Sequence, residues 1–307
     1  MRSGNGELPF EGDPTKEKQE FGKNVEVTVS FRRHADPEVN PATGMSADKL
    51  SSKGIEQAAA LGAAFEGPDD EAPVVKGYSS KLERAKDTID IGLQNTGATV
   101  INRKVAEIGD EEVRTSRGAR TYNIRTREEL MTVKNVAPFW MDAGKRADAM
   151  IAAGELDKPH KLDYQIQAYL DGSEQVKAAG GQTARECAQD LGHLLQHYLE
   201  MSGHLYDGSN VKLENVTHGP KIEPFIREVV MRTVGNETVR GFKNLDEIGG
   251  AFKPTDNVDF VIRRDDEGKL SSVKMMLRGT EYDVDLAELG LLSEEYATRQ
   301  KVEKVGA

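Results

Sequence analysis

Three basic positions, far apart in the sequence, carry side chains that could act on a phosphate group. Arg33 and His34 end the segment Phe31-Arg32-Arg33-His34, Arg84 lies well downstream, and His218 lies in the last third of the chain. Arginine and histidine N–H groups donate well to phosphate oxygens. A neutral imidazole can also attack phosphorus and carry the phosphoryl group on one ring nitrogen. These residue types predict phosphoryl transfer with His34 as the nucleophile.

Such a reaction also needs an acid, because the leaving alkoxide must take up a proton. Glu107 is the predicted donor, since it follows a predicted strand over residues 99–102. Asp110, Glu111 and Glu112 stand close by and remain alternatives for the same role.

The basic positions each fall where a predicted strand ends. Alternating apolar residues predict a strand from residue 25 that runs into Arg33 and His34. A second predicted strand over 74–78 precedes Ser80 and the helix that carries Arg84, and a third over 211–216 ends at His218. Ligands of α/β sheets bind beyond the carboxyl ends of the strands, so we expect these residues to meet.

The remaining pattern predicts an α/β fold, a three-layer α/β/α sandwich with a mostly parallel central sheet. Residues 1–24 are expected to form a flexible arm, and 25–307 a single domain with a helical cap inserted at about 113–181. Thr183 and Glu186 have the spacing of a capping box at the start of a helix. Residues 259–262 and 273–277 flank a turn and predict a β-hairpin.

Composition narrows the class of partner. The 307-residue chain carries a formal net charge of −11, which disfavours nucleic acid and anionic membrane surfaces as partners. No apolar run approaches the ~20 residues that a membrane-spanning helix needs, and the N-terminus has no apolar signal region. The single cysteine, Cys187, favours a reducing compartment, so a cytoplasmic location is expected. The oligomeric state is left open.

At this point the motifs resemble those of the histidine phosphatase superfamily, in the branch of cofactor-dependent phosphoglycerate mutases and their phosphatase relatives. Phe31-Arg32-Arg33-His34-Ala35 is similar to the Arg-His-Gly signature of that family, and Ser80 with Arg84-Ala85 and Thr88 to its second-arginine motif. Further similar segments follow in family order: Leu50, Gly54, Gln57, Ala58 and Leu61-Gly62 in the first helix, Val105-Ala106-Glu107, Gly181-Gln182-Thr183, and His218-Gly219.

The resemblance implies a role for each matched residue. His34 would be the nucleophile, Glu107 the proton donor and His218 the second catalytic histidine, while Arg33, Arg84 and His218 would hold the phosphate. Asn40 falls where this branch often places a phosphate-contacting asparagine. The resemblance implies chemistry without a metal ion, and no other cofactor is predicted. The expected substrate is a phosphorylated small molecule or a phosphopeptide.

Two features depart from the family pattern. Ala35 stands where the family has glycine, and its methyl group could reshape the pocket. An alanine at a position that needs a positive φ would cost about 1–2 kcal/mol. The strand before His34 also contains Glu26, Thr28 and Ser30, which is polar for a central parallel strand, so one of its faces is expected to be thinly covered.

Two weaker patterns are kept as hypotheses. A group of arginines could reach into the mouth of the site and recognise a second acidic group, or could form a solvated basic face; its members are Arg114, Arg117, Arg120, Arg125 and Arg127. Asp190, His193 and His197 share one helix stripe and could bind a metal ion, but the segment offers no third strong ligand, so a metal site is disfavoured.

Hydrolysis of a phosphate monoester is therefore the leading prediction. A phosphoglycerate mutase-type transfer is the closest alternative, although the Glu-Arg-Arg segment typical of mutases does not occur beyond the expected acid. A third alternative is a phosphate-binding or scaffold protein with a degenerate site, which the presence of all four core residues disfavours.

Overall fold

The computed structural model describes residues 20–39, 46–65, 74–96 and 118–306. The strands are β1 Glu26–Arg33, β2 Pro37–Val39, β3 Ser46–Leu50, β4 Val74–Ser79, β5 Gly118–Thr126, β6 Asn210–Thr217, β7 Val230–Val234, β8 Glu237–Arg240, β9 Asn257–Arg264, β10 Leu270–Leu277 and β11 Thr280–Val284. The α-helices are α1 Ser52–Phe65, α2 Glu83–Gln94, α3 Ala137–Ala153, α4 Lys161–Asp171, α5 Ser173–Ala178, α6 Ala184–Ser202, α7 Ile222–Val229 and α8 Leu286–Gly306.

Nine of these strands form one sheet in the order β5-β4-β6-β1-β9-β10-β11-β7-β8. The first four strands in that order are parallel, whereas the pairs from β1/β9 onwards are antiparallel. The predicted α/β class is confirmed, and the strands that carry the expected site belong to the parallel part. Three of the antiparallel pairs, β7/β8, β9/β10 and β10/β11, are joined by short connections, which allow neighbouring strands to form hairpins but not parallel crossovers.

Helices cover the parallel strands on both faces. On one face, the buried side chains of β1 pack with those of α6 and α7 in the main core, where Phe31 meets Phe225 edge to face. On the other face, Ala85, Ile89 and Leu93 of α2 pack with Val75 and Val216. The predicted capping box of α6 is present, with the Thr183 side chain accepting from the Glu186 backbone N–H.

The hairpin predicted near residues 265–268 is confirmed as β9 and β10, and β9 pairs along β1. β1 is therefore hydrogen-bonded on both sides, by β6 and by β9. The polar residues of β1 lie on the face opposite Phe31. Glu26 and Thr28 are partly exposed there, as expected, whereas Ser30 is fully buried and Arg32 forms a buried ion pair with Glu214 at 3.1 Å.

The region predicted as a helical cap begins differently from the prediction. Residues 118–126 form β5, an edge strand parallel to β4, so the helical reading of this segment is wrong. An edge strand tolerates polar side chains because one of its sides faces solvent, which hides the strand pattern. Helices α3, α4 and α5 follow, and Trp140 packs on Tyr169 beside the main core.

Close backbone packing sets the position of α1. A side chain at Gly54 would lie 2.0 Å from the carbonyl oxygen of Asp36, so only glycine lets the helix approach the segment after β1. Ile55 of the same helix is half exposed, and the buried stripe runs through Gly54, Ala58 and Leu61.

The described end of the expected N-terminal arm is attached to the fold. Phe21 stacks on Tyr206 at 5.1 Å, and the Gly22 N–H donates to the Leu205 carbonyl. Residues 1–19 lie outside the described residues. Across the described segments, no helix combines the length and apolar character needed to cross a bilayer.

Candidate active site

The carboxyl ends of β1, β4 and β6 bring the predicted basic residues together. The backbone N–H of His34 donates to the Thr217 carbonyl at 3.0 Å, and that of Ser80 to the Val216 carbonyl at 3.3 Å. Because all three strands are parallel and adjacent, the residues that follow them meet at one edge of the sheet. The imidazole rings of His34 and His218 lie 4.9 Å apart between centroids.

His34 is held as a neutral imidazole with one nitrogen free to accept. Its Nδ1 lies 2.7 Å from the carbonyl oxygen of Ala35, which can only accept, so Nδ1 carries the proton. Its Nε2 accepts from Nε of Arg84 at 3.2 Å. Burial, with a smaller contribution from the positive charges of Arg84 and Arg33, lowers the pKa of His34 to about 4. The lone pair on Nε2 is thus available at neutral pH.

His218 is fixed in the complementary tautomer. Its Nδ1 lies 3.3 Å from Nη2 of Arg84, which can only donate, so Nδ1 accepts. Its Nε2 then donates to the Ser80 hydroxyl at 2.7 Å. Burial lowers the pKa of His218 well below its usual value, and the neighbouring positive charges act in the same direction.

Arg84 joins the two histidines to the β2–β3 hairpin. Besides its bonds to both rings, its Nη1 donates to the Ala47 carbonyl at 3.1 Å, and the Asp48 carboxylate lies 3.7 Å away. The Arg84 side chain is 12% exposed, so part of it remains accessible to solvent. An incoming anion can therefore reach a cation that is already oriented.

Arg33 borders the same space but is turned towards the loop before β9. Its Nη1 donates to the Phe252 carbonyl at 2.6 Å, while its buried Nε has no partner among the described residues. Gly219 allows this packing, since a side chain there would lie 3.2 Å from Cζ of Arg33. Arg32, the neighbouring arginine, points to the opposite face of the sheet and is paired with Glu214. Only one of the two consecutive arginines therefore borders the site.

Two hydroxyl groups support the site, although the motif alone did not predict their contacts. Ser80 holds His218, as described above. Thr88 accepts from the Ala35 N–H at 3.0 Å and donates to the Arg84 carbonyl at 2.7 Å, which ties α2 to the segment after the nucleophile. Both residues belong to the Ser-x-x-x-Arg-Ala-x-x-Thr spacing, and that spacing was the signal available in the sequence.

Ala35 does not reshape the pocket in the way that its departure from the family pattern suggested. Its φ is not positive, so the alanine is unstrained. The residue is fully buried, and it packs in a small cluster with Leu50 and Ala58. Its methyl group therefore contributes to the packing beneath the nucleophile.

Several predicted residues lie outside the described part of the chain. These are Asn40, Glu107 and its alternatives Asp110, Glu111 and Glu112, together with Arg114, Arg117 and the predicted strand at 99–102. The same holds for the side chain of Arg120. Their predicted roles remain predictions.

The described members of the arginine group do not support recognition at the mouth. The Arg127 guanidinium lies 5.4 Å from the ring centroid of Tyr78, which belongs to the main core on the α6 face. Arg125 is exposed at the edge strand.

The residues of α6 that were considered as metal ligands make contacts with other side chains of the protein. Asp190 accepts from Lys221 at 2.5 Å and from Gln182 at 2.8 Å. His193 stacks on Tyr296 at 4.3 Å. Within the described residues, no three His, Cys, Asp or Glu side chains are grouped as metal ligands would be.

The arrangement as a whole offers an accepting imidazole nitrogen beside three groups that can donate to an anion. Arg84 and Arg33 supply fixed positive charge, and a reoriented or protonated His218 could donate as well. All of these groups are largely buried, so their electrostatic effect on a bound dianion is stronger than it would be in water.

Comparison with known protein families gives a match over part of the chain. Residues 29–130 match the model of the histidine phosphatase superfamily, branch 1. The match confirms the resemblance drawn from the motifs and spans His34 and Arg84. It ends before His218, which the geometry of the site adds. No curated protein sequence gives a significant match.

Solved structures similar to the chain include three phosphatases. A mycobacterial glucosyl-3-phosphoglycerate phosphatase is 16% identical, with a TM-score of 0.46 over 82% of this chain and 97% of that one. The protein histidine phosphatase SixA is 10% identical, with a TM-score of 0.32 over 83% and 96%. A putative α-ribazole-5′-phosphate phosphatase from Escherichia coli is 14% identical, with a TM-score of 0.33 over 83% and 97%. At such scores these likenesses add nothing to what the topology of the chain itself shows.

Proposed function

We propose that this chain, a member of the histidine phosphatase superfamily, hydrolyses phosphate monoesters through a phosphohistidine formed on His34. The observation that carries the proposal is the placement of Arg84, whose guanidinium contacts the free nitrogen of His34 and a nitrogen of His218 at once. A phosphate that binds Arg84 in place of these two nitrogens lies directly against the nucleophile.

In the first step, the lone pair on Nε2 of His34 attacks phosphorus and the bond from phosphorus to the ester oxygen breaks. The bond from Nδ1 to the Ala35 carbonyl keeps the ring in the reactive tautomer and stabilises the positive charge that develops on it. Arg33, Arg84 and His218 donate to the equatorial oxygens, where charge spreads in the transition state. Asn40 is proposed as a further phosphate contact.

The leaving alkoxide takes a proton from Glu107, which is proposed as the general acid. In the second step, water gives a proton to the Glu107 carboxylate and attacks the phosphohistidine. The P–N bond breaks, orthophosphate leaves, and His34 returns to its neutral form. Asp110, Glu111 and Glu112 are the alternatives for the acid.

Trapping the intermediate tests the proposal. The protein is mixed with p-nitrophenyl phosphate, quenched in alkali because the P–N bond is labile in acid, and digested for mass spectrometry. Phosphate is expected on the peptide that contains His34. The His34→Asn variant should lose both the label and turnover, while His204→Asn, which changes an exposed histidine, should keep both. Release of p-nitrophenol by His34→Asn at the wild-type rate would disprove the mechanism.

Two further assays separate the finer alternatives. If the chemistry is independent of metal ions, EDTA leaves the rate unchanged, whereas a marked loss would contradict that part of the proposal. A coupled assay with 3-phosphoglycerate and 2,3-bisphosphoglycerate tests the mutase alternative. Formation of 2-phosphoglycerate faster than release of orthophosphate would overturn hydrolysis as the main reaction.

A further inference from the structure

A carboxylate lies on the solvent side of the phosphate-binding arginine. Asp48 belongs to β3, whose hairpin with β2 packs beside α2, and its Oδ1 is 3.7 Å from Nη1 of Arg84. The distance is long for an ion pair, and the Asp48 side chain is 48% exposed. Asp48 can therefore contact both Arg84 and a molecule that enters from solvent.

The geometry of Arg84 limits where the organic part of a substrate can lie. Nε and Nη2 of Arg84 face His34 and His218, so the phosphoryl group must bind on that side of the guanidinium. Nη1 is occupied by the Ala47 carbonyl. A substituent one or two bonds beyond the ester oxygen extends away from His34, because the leaving group departs in line with attack. Asp48 lies 3.7 Å from Nη1 of the same guanidinium and is half exposed, which places its carboxylate within reach of such a substituent.

Two of the lysines near this rim are already paired with other carboxylates, while Lys49 of β3 acts to lower the pKa of Asp87 and so offsets part of the negative charge. Lys53 forms an ion pair with Asp36 at 2.6 Å, and Lys81 forms one with Glu128. In the described part of the chain, Arg84 is the one cation within 4 Å of Asp48, and Arg84 itself is shared with both histidines. The Asp48 carboxylate is thus incompletely neutralised.

The surrounding helix adds negative charge in the same place. Burial raises the pKa of Asp87 in α2, and the negative charges of Glu83, Asp90 and Asp48 raise it further. A second anion on the substrate would meet this negative potential, whereas a cation would be attracted by it.

We propose that Asp48 determines substrate specificity, by favouring phosphate monoesters that carry an ammonium group close to the phosphate and by disfavouring those that carry a carboxylate there. This inference rests on the proposed function, since it requires the phosphoryl group to bind at Arg84. It is also the opposite of the hypothesis drawn from the sequence, in which arginines at the mouth of the site recognise a second acidic group on the substrate. A substrate that carries a neutral hydroxyl group at that position should bind with intermediate affinity.

Three phosphonates of equal chain length test the proposal without turnover, because their P–C bond is not hydrolysed. They are 2-aminoethylphosphonate, propylphosphonate and 2-carboxyethylphosphonate, and their dissociation constants are measured by calorimetry on the wild-type protein. The ammonium compound should bind about tenfold more tightly than the carboxylate compound, with the propyl compound between them. In Asp48→Asn, the difference should fall to about twofold.

Matched variants make the result specific to this position. Asp142→Asn removes the same charge from an exposed carboxylate on α3 and should keep the wild-type order of affinities. Asp48→Glu keeps the charge and should also keep the order. Higher salt should narrow the wild-type difference, because Asp48 is half exposed.

The outcomes separate this inference from the proposed function. If all three phosphonates bind with similar affinity, or if Asp48→Asn keeps the wild-type order, then the role of Asp48 is wrong and the phosphate site stands. If none of the three binds, both the phosphate site and the inference are wrong.

Discussion

Arg84 lies between the two histidines, with its Nε 3.2 Å from Nε2 of His34 and its Nη2 3.3 Å from Nδ1 of His218. An arginine remains a cation and only donates, so both contacted ring nitrogens must accept. The relationship therefore fixes both rings as neutral before substrate arrives. It also means that the positive charge of the site is held by arginine rather than by histidine.

Replacing Arg84 by lysine should remove most of the activity. A lysine ammonium is a point charge and cannot contact both rings while donating to the Ala47 carbonyl. We expect kcat to fall by about 100-fold to 1000-fold, the usual effect of losing one oriented donor. Steady-state kinetics with p-nitrophenyl phosphate measure this.

The control for Arg84 is Lys86→Arg, a change of basic residue on the same helix. It should keep wild-type kcat and stability. An Arg84→Lys variant with more than a third of the wild-type kcat would contradict the central role of the guanidinium.

The state of His34 should make both activity and stability depend on pH. Its pKa is lowered to about 4 in the folded protein, compared with about 6.5 in an unfolded chain. Between these values the unfolded chain binds a proton that the native protein does not. The contribution of His34 to stability is therefore complete above about pH 6.5 and is lost as the pH falls towards about 4.

The imidazole signals of His34 in an NMR titration measure this pKa directly. A midpoint near 4 is expected, and a midpoint near 6.5 would contradict the assigned environment. Because Nε2 of a protonated His34 has no lone pair, single-turnover formation of the phosphohistidine should fall along the same curve. His34→Asn identifies the signals by their disappearance.

Ser80→Ala should weaken the site through His218. The change leaves the buried Nε2–H of His218 and the Leu82 N–H without their acceptor, at a cost of about 1–3 kcal/mol in the free energy of unfolding. We expect kcat/KM to fall about tenfold and the affinity for orthovanadate to fall with it. Ser80→Thr, which keeps the hydroxyl, should recover most of both.

Ser79 provides the matched control for Ser80, since it is the last residue of β4 and directly precedes Ser80. Its buried hydroxyl has no hydrogen-bond partner among the described residues, so Ser79→Ala should change stability and kcat/KM little. Equal effects of the two alanine variants on vanadate affinity would show that the Ser80–His218 bond does not position the ring.

Gly219→Ala should disturb Arg33. The added methyl would stand 3.2 Å from Cζ of Arg33, so the guanidinium must shift by a few tenths of an ångström. We expect the affinity for inorganic phosphate, measured by calorimetry, to fall severalfold. Gly290→Ala is the control: no atom lies within 4 Å of its added methyl, and alanine favours the interior of α8. Unchanged phosphate affinity in Gly219→Ala would contradict a role for Arg33 in binding.

Ala35→Gly should restore the family residue without improving the enzyme. Removing the buried methyl that packs with Leu50 and Ala58 should cost about 1–2 kcal/mol in the free energy of unfolding, through lost packing and a more flexible backbone. Because the methyl lies in this cluster, kcat/KM should stay within about threefold of wild type. Denaturant unfolding and steady-state kinetics measure the two effects, and a tenfold change in KM would show that Ala35 shapes the pocket.

The sequence predicted which residues meet because it predicted where strands end. Alternation in β1 and the predicted strand over 211–216 placed His34 and His218 at carboxyl ends, and the parallel topology then made them neighbours. The start of α6 and the hairpin of β9 and β10 were also predictable, because capping and turn residues act locally.

Other features depend on contacts between distant residues, which no local pattern encodes. The bonds from Ser80 to His218 and from Thr88 to Ala35 join elements far apart in the chain. The direction of the Ala35 methyl depends on the φ of one residue, which the sequence pattern does not give. The strand β5 was not predicted because its edge position accepts polar residues, which obscure the alternation typical of a strand. Asp48 drew no attention in the sequence because its importance arises only from its distance to Arg84.

The pairing of β1 on both of its sides has a consequence for how the protein loses activity on heating. β6 and β9 hold this strand along both sides, so its amide groups cannot exchange with solvent by fraying at an edge. Amides of Val29 and Phe31 should therefore exchange deuterium only when the whole sheet opens. His34 directly follows a strand that is paired on both sides, so inactivation by heat should follow global unfolding rather than local loosening of the site.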